Sequence, residues 1–431
     1  MTGQQPGKRL HVPALHVAVI GAGIVGAATA VELIKAGHAV TIIEAGEPGG
    51  TQAASYGNGA WISPGSIIPM STPGLWRRVP GFLADPLGPL TIRWRHLARL
   101  SPWLIRFVRA GATVQKVEAT ARALRALVID APARHTALAR DAGVAELIEQ
   151  RGLMHIYPDR AAYEADAFAW RLRRDNGVTW TEVDAAGLRQ REPQLADRYT
   201  FGALIDDGAH CTDPGAYVVA LTRHAVALGA KVTKTHALGF DIGGGRLQSV
   251  VTAAGPIACD RAVIAAGIGS KHLARMAGDR LPLESERGYH VVIADPEAGP
   301  RTPVMPSDGK MANTMTRAGL RASGQVELAS VDAAPDWRRA EILLKHLLAT
   351  YPGLSREIAP DRVTRWMGHR PSTPDGLPVL GSSSACADIF HAFGHGHVGL
   401  AAGPASAALV AALVTGTPPP IDPAPFAATR F

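Results

Sequence analysis

The chain has 431 residues, of which 47% are apolar and 19% are charged, and its formal net charge is +7. This length predicts two or three domains with a sizeable core, and the composition excludes a disordered or fibrous protein. The basic residues are mostly arginines spread along the chain, so the charge predicts no nucleic-acid partner. The cysteines at 211, 259 and 386 are far apart, which excludes a disulfide framework and indicates a reducing, cytoplasmic compartment.

Two N-terminal segments bear on targeting. Residues 1–14 are polar and lack the apolar core of a secretory signal. Residues 16–34 form the most apolar stretch, but they contain Glu32 and three regularly spaced glycines. We therefore expect no transmembrane helix in this chain.

The same apolar stretch carries the first structural motif. Residues 16–20 are β-branched and apolar and predict a strand, residues 24–36 predict a helix, and residues 39–43 predict a second strand. Such a strand–helix–strand unit is typical of dinucleotide-binding sheets. This motif alone does not distinguish FAD from NAD.

Three glycines and one acid give that unit its chemistry. Gly21, Gly23 and Gly26 have the G-x-G-x-x-G spacing, which permits a tight turn, a close approach of backbone to pyrophosphate, and close packing of helix on strand. The helix N-terminus offers N–H groups to phosphate. Glu44 ends the second strand, where its carboxylate accepts ribose hydroxyls and repels the 2′-phosphate of NADP.

The next two segments admit more than one interpretation. Residues 49–59 are a long loop of small residues, which suits backbone that wraps a planar ring system. Residues 75–110 interleave tryptophan with arginine, including Trp76, Arg78 and Trp103. This pattern fits either a peripheral contact with anionic lipid headgroups or helices that pack their tryptophans on the body of the protein.

Further elements follow from hydrophobic periodicity and turn signals. We predict helices over 117–142, 161–176, 214–228 and 340–348, strands over 153–157, 231–235 and 261–266, and a local antiparallel sheet within 283–330.

The C-terminal region predicts a second strand–turn–helix unit. Residues 388–393 read as a strand, residues 394–399 as a glycine-rich turn, and residues 401–414 as a helix of small residues. The helix N-terminus provides N–H groups for a bound acceptor. His395 and His397 have no third ligand at a suitable spacing, so we expect no metal site.

Together these motifs resemble the D-amino-acid oxidase superfamily of FAD-dependent oxidoreductases, and within it the small subunits of bacterial D-amino acid dehydrogenases. The resemblance extends from residue 16 to the C-terminus. It rests on Gly21–Gly26 with Glu44, Ile264-Ala265-Ala266-Gly267, Gly368-His369-Arg370-Pro371, Thr373-Pro374-Asp375-Gly376 and Gly394-His395-Gly396, with narrower support from residues 58–65 and Gly288-Tyr289.

The resemblance implies an α/β fold, in which a Rossmann-like FAD domain of the glutathione-reductase type carries an inserted α+β substrate domain with an antiparallel sheet. We expect the FAD domain to comprise residues 15–65, 200–281 and 363–431, and the substrate domain to comprise residues 66–199 and 282–362. No cysteine lies where relatives attach flavin covalently, so we expect non-covalent FAD.

The resemblance also implies site residues. Arg370, in the G-x-R-P motif, is expected to bind the substrate carboxylate, and Tyr289 and His397 are the other expected catalytic residues. His369 and His397 depart from the usual pattern of the family. From the motifs and the resemblance together, the expected cofactor contacts are Gly21, Gly23, Ile24, Val25, Gly26, Glu44, Ala45, Ser55, Gly57, Asn58, Gly59, Leu238, Ala265, Ala266, Gly267, Gly394, His395, Gly396, His397, Val398 and Gly399.

The implied reaction is oxidation of a D-amino acid by hydride transfer from Cα to flavin N5, followed by hydrolysis of the imino acid to a 2-oxo acid and ammonia. The electrons would pass to a quinone or another carrier, and the enzyme would be cytoplasmic or peripheral on the inner membrane. Alternatives are D-proline or cis-4-hydroxy-D-proline, glycine or sarcosine, and, in a different class, an NAD-dependent dehydrogenase.

Overall fold

The computed structural model describes residues 14–75, 77, 79, 81, 88 and 90–431. The helices with assigned bounds in these ranges are α1 (Ile24–Lys35), α2 (Leu97–Ala110), α3 (Val114–Val128), α4 (Ala131–Asp141), α5 (Arg160–Ala165), α6 (Ala167–Asp175), α7 (Ala185–Arg191), α8 (Pro214–Ala227), α9 (Ser270–Met276), α10 (Arg338–Thr350) and α11 (Gly399–Thr415). The strands are β1 (His16–Ile20), β2 (Ala39–Glu44), β3 (Trp61–Ile62), β4 (Leu90–Ile92), β5 (Ile148–Glu149), β6 (Leu153–Tyr157), β7 (Thr181–Val183), β8 (Phe201–Ile205), β9 (Ala209–Cys211), β10 (Lys231–Lys234), β11 (Ala237–Gly243), β12 (Arg246–Thr252), β13 (Gly255–Ala258), β14 (Arg261–Ile264), β15 (Glu284–Ile293), β16 (Val304–Pro306), β17 (Ala312–Thr316), β18 (Gly319–Leu328), β19 (Val363–Ser372), β20 (Val379–Ser382) and β21 (Ile389–Phe393).

The predicted dinucleotide-binding unit forms the centre of a six-stranded sheet. Its strand order is β10-β2-β1-β14-β21-β20, and every pair is parallel except the last. Side chains of β1 alternate between two cores, as the period of a strand requires. Val17 and Val19 pack with α1 and α11 on one face, whereas Ala18 and Ile20 pack with β12 on the other.

A second, nine-stranded sheet carries the other half of the molecule. Its order is β19-β15-β18-β17-β16-β6-β8-β7, with β4 also paired to β18. The antiparallel sheet predicted within 283–330 is confirmed, because β15, β17 and β18 pair antiparallel. Helix α10 covers one face of this sheet and forms a core with β15 and β18.

Strand pairing moves two boundaries of the predicted domain division. The prediction placed residues 200–281 and 363–431 with the FAD-binding sheet. In the structure, β8 pairs with β6, and β19 pairs with β15 through all ten of its residues, so both strands belong to the nine-stranded sheet. The ten-residue ladder fixes β19 in the nine-stranded sheet, because moving β19 away from β15 would leave its backbone N–H and C=O groups unpaired.

Two predicted helices are each divided in two. The helix predicted over 117–142 breaks between α3 and α4, where Pro132 occupies the first turn of α4 and cannot donate an N–H to a preceding turn. The helix predicted over 161–176 breaks at Asp166, between α5 and α6. Among the helices with assigned bounds, none combines the length and apolarity that crossing a bilayer requires.

Candidate active site

A cavity of about 1650 Å³ runs from the six-stranded sheet to the nine-stranded sheet. It is larger than the roughly 300–1,000 Å³ of most small-molecule sites. One end lies at the carboxyl end of β1, between β2 and β14, which is where open α/β sheets bind ligands. The cavity therefore has room for a dinucleotide together with a substrate.

The glycine fingerprint shapes the first wall of the cavity. Gly21 has a φ of +105°, and a Cβ there would lie 2.4 Å from the carbonyl oxygen of Ala265. A Cβ on Gly26 would lie 1.9 Å from the carbonyl oxygen of Gly21, so this glycine lets α1 pack on β1. Gly23 lines the cavity at the N-terminus of α1, as expected for a phosphate-binding turn.

Glu44 borders the same end of the cavity. Its carboxylate accepts hydrogen bonds from the backbone N–H groups of Ala22 at 2.6 Å and Gly46 at 2.9 Å. These contacts fix the carboxylate beside the glycine turn, with lone pairs left for further donors. The position suits the hydroxyls of an adenosine ribose, as the sequence predicted.

The small-residue loop 49–59 forms the adjacent wall. Ser55 Oγ accepts a hydrogen bond from the N–H of Ile24, which ties the loop to the start of α1. The indole of Trp366 packs so closely on Gly57 that any Cβ there would overlap the ring. Trp366 Nε1 also donates to the carbonyl of Thr51 at 2.8 Å, so the loop is held at both ends.

The C-terminal turn brings a second helix N-terminus to the cavity. Residues 395–399 line it, and no side chain caps the first turn of α11. Unsatisfied N–H groups and the helix dipole make this end favourable for negative charge. His395 is buried and bonds to Ser406 Oγ at 3.0 Å, whereas the ring of His397 faces the cavity. Desolvation by the surrounding walls of the cavity, with a contribution from Arg370, lowers the pKa of His397 to about 4.

Arg370 projects from β19 into the cavity and is held in a specific pose. Its guanidinium lies against Gly288, where a Cβ would be only 2.3 Å from Cζ. Its Nη1 and Nη2 atoms donate to the carbonyls of Gln325 at 2.9 Å and Gly324 at 3.3 Å. A bulge in β18 turns these carbonyls toward it, with Gln325 at a φ of +58°. The remaining N–H groups are available for a carboxylate.

Glu286 is a site residue that the sequence analysis missed. It pairs with Arg370 across β15 and β19, lines the cavity and is 6% exposed. Ser372 Oγ donates to its Oε2 at 2.8 Å. Burial raises the pKa of Glu286, against the lowering effects of Ser372 and Arg370. A single glutamate in a predicted strand has no spacing that marks it as a site residue. The only indication in the sequence was its distance of two residues from Gly288, which places both residues on the same face of the strand.

The prediction that Tyr289 is catalytic is wrong in position. Its side chain is fully buried on the opposite face of β15 and does not line the cavity. Its hydroxyl donates to Glu327 at 2.5 Å and accepts from the N–H of Asp336 at 3.0 Å. The cause is strand alternation, which directs Glu286 and Gly288 toward the cavity and Tyr289 away from it.

Most of the other predicted residues meet at the cavity. Three do not line it: Gly26 packs inside the glycine turn, Gly394 forms the turn before His395 at a φ of +88°, and the side chain of Leu238 is 49% exposed. Ala237, the neighbour of Leu238, lines the cavity instead, because successive side chains of a strand point to opposite faces. The predicted residues that line the cavity are Gly21, Gly23, Ile24, Val25, Glu44, Ala45, Ser55, Gly57, Asn58, Gly59, Ala265, Ala266, Gly267, Arg370, His395, Gly396, His397, Val398 and Gly399.

These residues fit FAD. The turn at Gly23 and the start of α1 would hold the pyrophosphate, and Glu44 would hold the adenosine ribose. Loop 49–59 and the N-terminus of α11 border the part of the cavity that leads to Arg370. The positive end of α11 suits the part of a flavin where negative charge grows on reduction.

Comparison with known sequences agrees with this site. The profile of the DAO family, described as FAD dependent oxidoreductase, matches residues 16–413. A D-amino-acid oxidase of Bradyrhizobium diazoefficiens is 53% identical over 416 residues, covering 96% of this chain and 99% of the relative. A D-amino acid dehydrogenase of Paramagnetospirillum magneticum is 31% identical over 416 residues, covering 95% and 97%.

Solved structures share the fold. Glycine oxidase from Geobacillus kaustophilus superposes with a TM-score of 0.71 at 22% identity, covering 97% of this chain and 99% of that one. L-proline dehydrogenase from P. horikoshii gives a TM-score of 0.70 at 19% identity, covering 97% and 98%. With its glycine turn, Glu44 and a cavity that extends to Arg370, the chain belongs to the DAO family of FAD-dependent oxidoreductases.

Proposed function

We propose that this protein oxidatively deaminates D-amino acids. The observation that carries the proposal is the pairing of Arg370 with Glu286 on one face of the substrate sheet, inside the cavity that fits FAD. A cation and a carboxylate on adjacent strands match the carboxylate and ammonium of an amino acid. The names of the relatives from Bradyrhizobium and Paramagnetospirillum support the choice of D-amino acids.

Arg370 binds and orients the substrate carboxylate. Its guanidinium is fixed by Gly288 and by two carbonyls, so little rotamer entropy is lost when the carboxylate binds. Burial lowers the pKa of Arg370 and Glu286 opposes that effect, but an arginine stays charged at neutral pH. A charge-assisted, bidentate contact then holds Cα in one orientation.

Glu286 receives the substrate amine. One of its oxygens is occupied by Ser372, and the residue borders the cavity beside Arg370. A carboxylate there accepts a hydrogen bond or a proton from the ammonium group, which must lose a proton before Cα is oxidised. Bound FAD would supply the acceptor for the hydride of Cα at flavin N5, and water would then hydrolyse the imino acid to a 2-oxo acid and ammonia.

Anaerobic reduction of the purified holoenzyme tests this function. We expect D-amino acids to bleach the visible flavin absorbance, and the L-enantiomers to leave it unchanged. D-proline, cis-4-hydroxy-D-proline, glycine and sarcosine belong in the same panel. Arg370→Ala should lower kcat/KM by about 100-fold or more, because both charge-assisted hydrogen bonds are lost. Full activity in Arg370→Ala would contradict the proposal.

We further propose that electrons leave to a quinone or another carrier, at the cytoplasmic face of the inner membrane. Helix α2 supports this, because Leu104, Phe107 and Val108 line the cavity while Ile105 is 52% exposed. Trp103 is buried and donates to the carbonyl of Ser372, so it packs on the body of the protein. Trp76 and Arg78 lie outside the described residues.

Exposed charges adjoin that apolar face. Arg99, Arg106 and Arg109 are exposed on α2, and Trp94 just before it is 70% exposed. Arginine beside exposed tryptophan and isoleucine suits an interface with anionic headgroups. Cosedimentation with vesicles of phosphatidylglycerol, against vesicles of phosphatidylcholine, tests the contact. Arg99→Glu with Arg106→Glu should abolish it without changing turnover with a soluble dye.

A further inference from the structure

A buried arginine of the nine-stranded sheet supports loop 49–59 from behind. Arg321 of β18 is 5% exposed, and its Nη1 donates hydrogen bonds to the carbonyl oxygens of Tyr56 at 3.2 Å and Asn58 at 3.0 Å. Gly57 lies between these two residues, and both Gly57 and Asn58 line the cavity. The guanidinium is therefore separated from the cavity by the thickness of one stretch of backbone.

Two uncharged side chains hold the neighbouring carbonyls of the loop. Thr314 Oγ1 of β17 donates to the carbonyl of Gly59 at 3.0 Å, and Nδ1 of His290 on β15 lies 3.3 Å from the carbonyl oxygen of Gly57. Burial and the charge of Arg321 lower the pKa of His290 to about 3, so its ring is neutral and donates through Nδ1–H. Of these three side chains, only Arg321 brings a charge to the loop.

The charge of Arg321 is only partly compensated. Among the described residues Arg321 forms no ion pair, and its Nε is buried without a hydrogen-bond acceptor. Asp213 opposes the charge from the N-terminus of α8, where its carboxylate accepts a hydrogen bond from the N–H of Ala216 at 2.9 Å. Burial lowers the pKa of Arg321, but a guanidinium stays charged at neutral pH. Because the group is buried, solvent screens its field weakly.

The loop faces the part of the cavity that lies between the glycine turn and Arg370. Ser55 bonds to the start of α1, where the pyrophosphate would bind. Ser323, on the same face of β18 as Arg321, and Trp366 line the cavity on the side of the substrate sheet. A flavin ring that extends from the pyrophosphate to a substrate at Arg370 would therefore pass residues 57–59.

We propose that Arg321 acts through this loop on the bound flavin, and that its buried charge raises the reduction potential of the ring. A ring that accepts a hydride gains one negative charge unless a proton follows, and a fixed cation nearby stabilises that charge. The inference deepens the proposed function, on which its consequence for turnover rests, because a higher potential favours transfer of the hydride from Cα.

The reduction potential of the holoenzyme tests the inference, measured by anaerobic equilibration of the flavin with a reference dye. Arg321→Gln keeps an N–H donor for the loop but removes the charge. We expect it to shift the equilibrium toward oxidised flavin by about tenfold or more, which is about 30 mV for a two-electron couple. Arg321→Lys keeps the charge and should retain most of the wild-type potential.

Two further variants separate the charge from the support of the loop. Thr314→Val removes a hydrogen bond to the same loop without changing any charge, so it should leave the potential unchanged whatever its effect on the Kd of FAD. Asp213→Asn removes the opposing charge, and asparagine caps a helix as well as aspartate does. We expect Asp213→Asn to raise the potential, which keeps the inference testable if Arg321→Gln does not fold.

Equal potentials in wild type and Arg321→Gln would overturn the inference. An equal fall in Arg321→Gln and Arg321→Lys, or a similar fall in Thr314→Val, would also overturn it, because displacement of the loop would then be the cause. So would a lower potential in Asp213→Asn. The dye titration needs no amino acid. Failure of every D-amino acid to reduce the flavin, with the shift in Arg321→Gln intact, would therefore contradict the proposed function alone.

Discussion

The guanidinium of Arg370 lies against the Cα of Gly288, at a distance that leaves no room for a methyl group. Gly288→Ala should therefore displace the guanidinium from its two carbonyl acceptors. We expect KM for a D-amino acid to rise by about 10- to 100-fold, since small displacements of a positioning group have effects of this size.

Steady-state kinetics of Gly288→Ala check that expectation, with Gly243→Ala as the control. A Cβ on Gly243 of β11 would meet its nearest neighbour at 3.5 Å, which is ordinary contact. Unchanged kinetics in Gly288→Ala would show that the pose of Arg370 does not limit binding.

Glu286 predicts a pH dependence. Burial raises the pKa of this carboxyl, so its charged form is lost at a higher pH than for an ordinary glutamate. In wild type, kcat/KM should fall as the pH decreases through this raised pKa. Glu286→Gln should lower kcat/KM by about 10- to 100-fold at neutral pH, the effect of removing one charged hydrogen bond, and should abolish the acidic decline. An identical acidic decline in the variant would assign it to another group.

His397, unlike Glu286, is expected not to contribute to the pH dependence near neutrality. Its pKa of about 4 means that the ring is neutral throughout the range from about pH 6 to 9. His397→Asn should therefore leave the shape of the pH profile unchanged in that range, whatever its effect on the rate. Loss of an inflection near pH 6 to 7 in the variant would show that His397 titrates there.

The carboxylate of Glu44 is expected to contribute to the affinity for FAD. Glu44→Ala removes the acceptor of the Ala22 and Gly46 N–H groups as well as the expected ribose contact. The Kd of FAD should rise by about 10-fold or more, because hydrogen bonds to a charged group contribute about 1.5–3 kcal/mol. Fluorescence titration of the apoprotein measures it. Glu47→Ala, an exposed partner of Lys234, is the control and should bind FAD normally.

The carboxylate of Asp279 is expected to affect the free energy of unfolding rather than the activity. Burial would raise the pKa of this carboxyl, but hydrogen bonds from His391 at 2.6 Å and from Ser384 outweigh it and lower the pKa. Asp279→Asn should reduce the free energy of unfolding by about 1.5–3 kcal/mol near pH 7.

A lowered folded-state pKa stabilises the fold above the unfolded value of about 3.9, and this contribution is lost as the pH falls further. Urea denaturation should therefore show a constant difference between wild type and Asp279→Asn from pH 7 to 5, and a smaller one below pH 4. Asp241→Asn, at an exposed position on β11, should change neither value. A difference that grows with acidity would contradict the assignment.

Sequence reasoning placed residues correctly where the local structure depends on neighbours along the chain. The glycine turn, the end of β2 at Glu44 and the turn before α11 are each contiguous, so spacing alone predicted them. It failed where a shift of one residue along a strand decides whether a side chain faces the cavity. Tyr289 and Leu238 were expected in the site, but the pleat turns both side chains away from it.

The sequence by itself predicted the dinucleotide-binding unit, because backbone turns and short motifs are local, and the resemblance to the family pointed to Arg370. Only the tertiary structure decided which side chains share the cavity with that arginine. Glu286 is 84 residues from Arg370 along the chain and lies beside it because β15 and β19 pair antiparallel. Arg173 lines the same cavity from helix α6. Long-range pairing and the phase of each strand set those contacts between residues that are distant in the sequence.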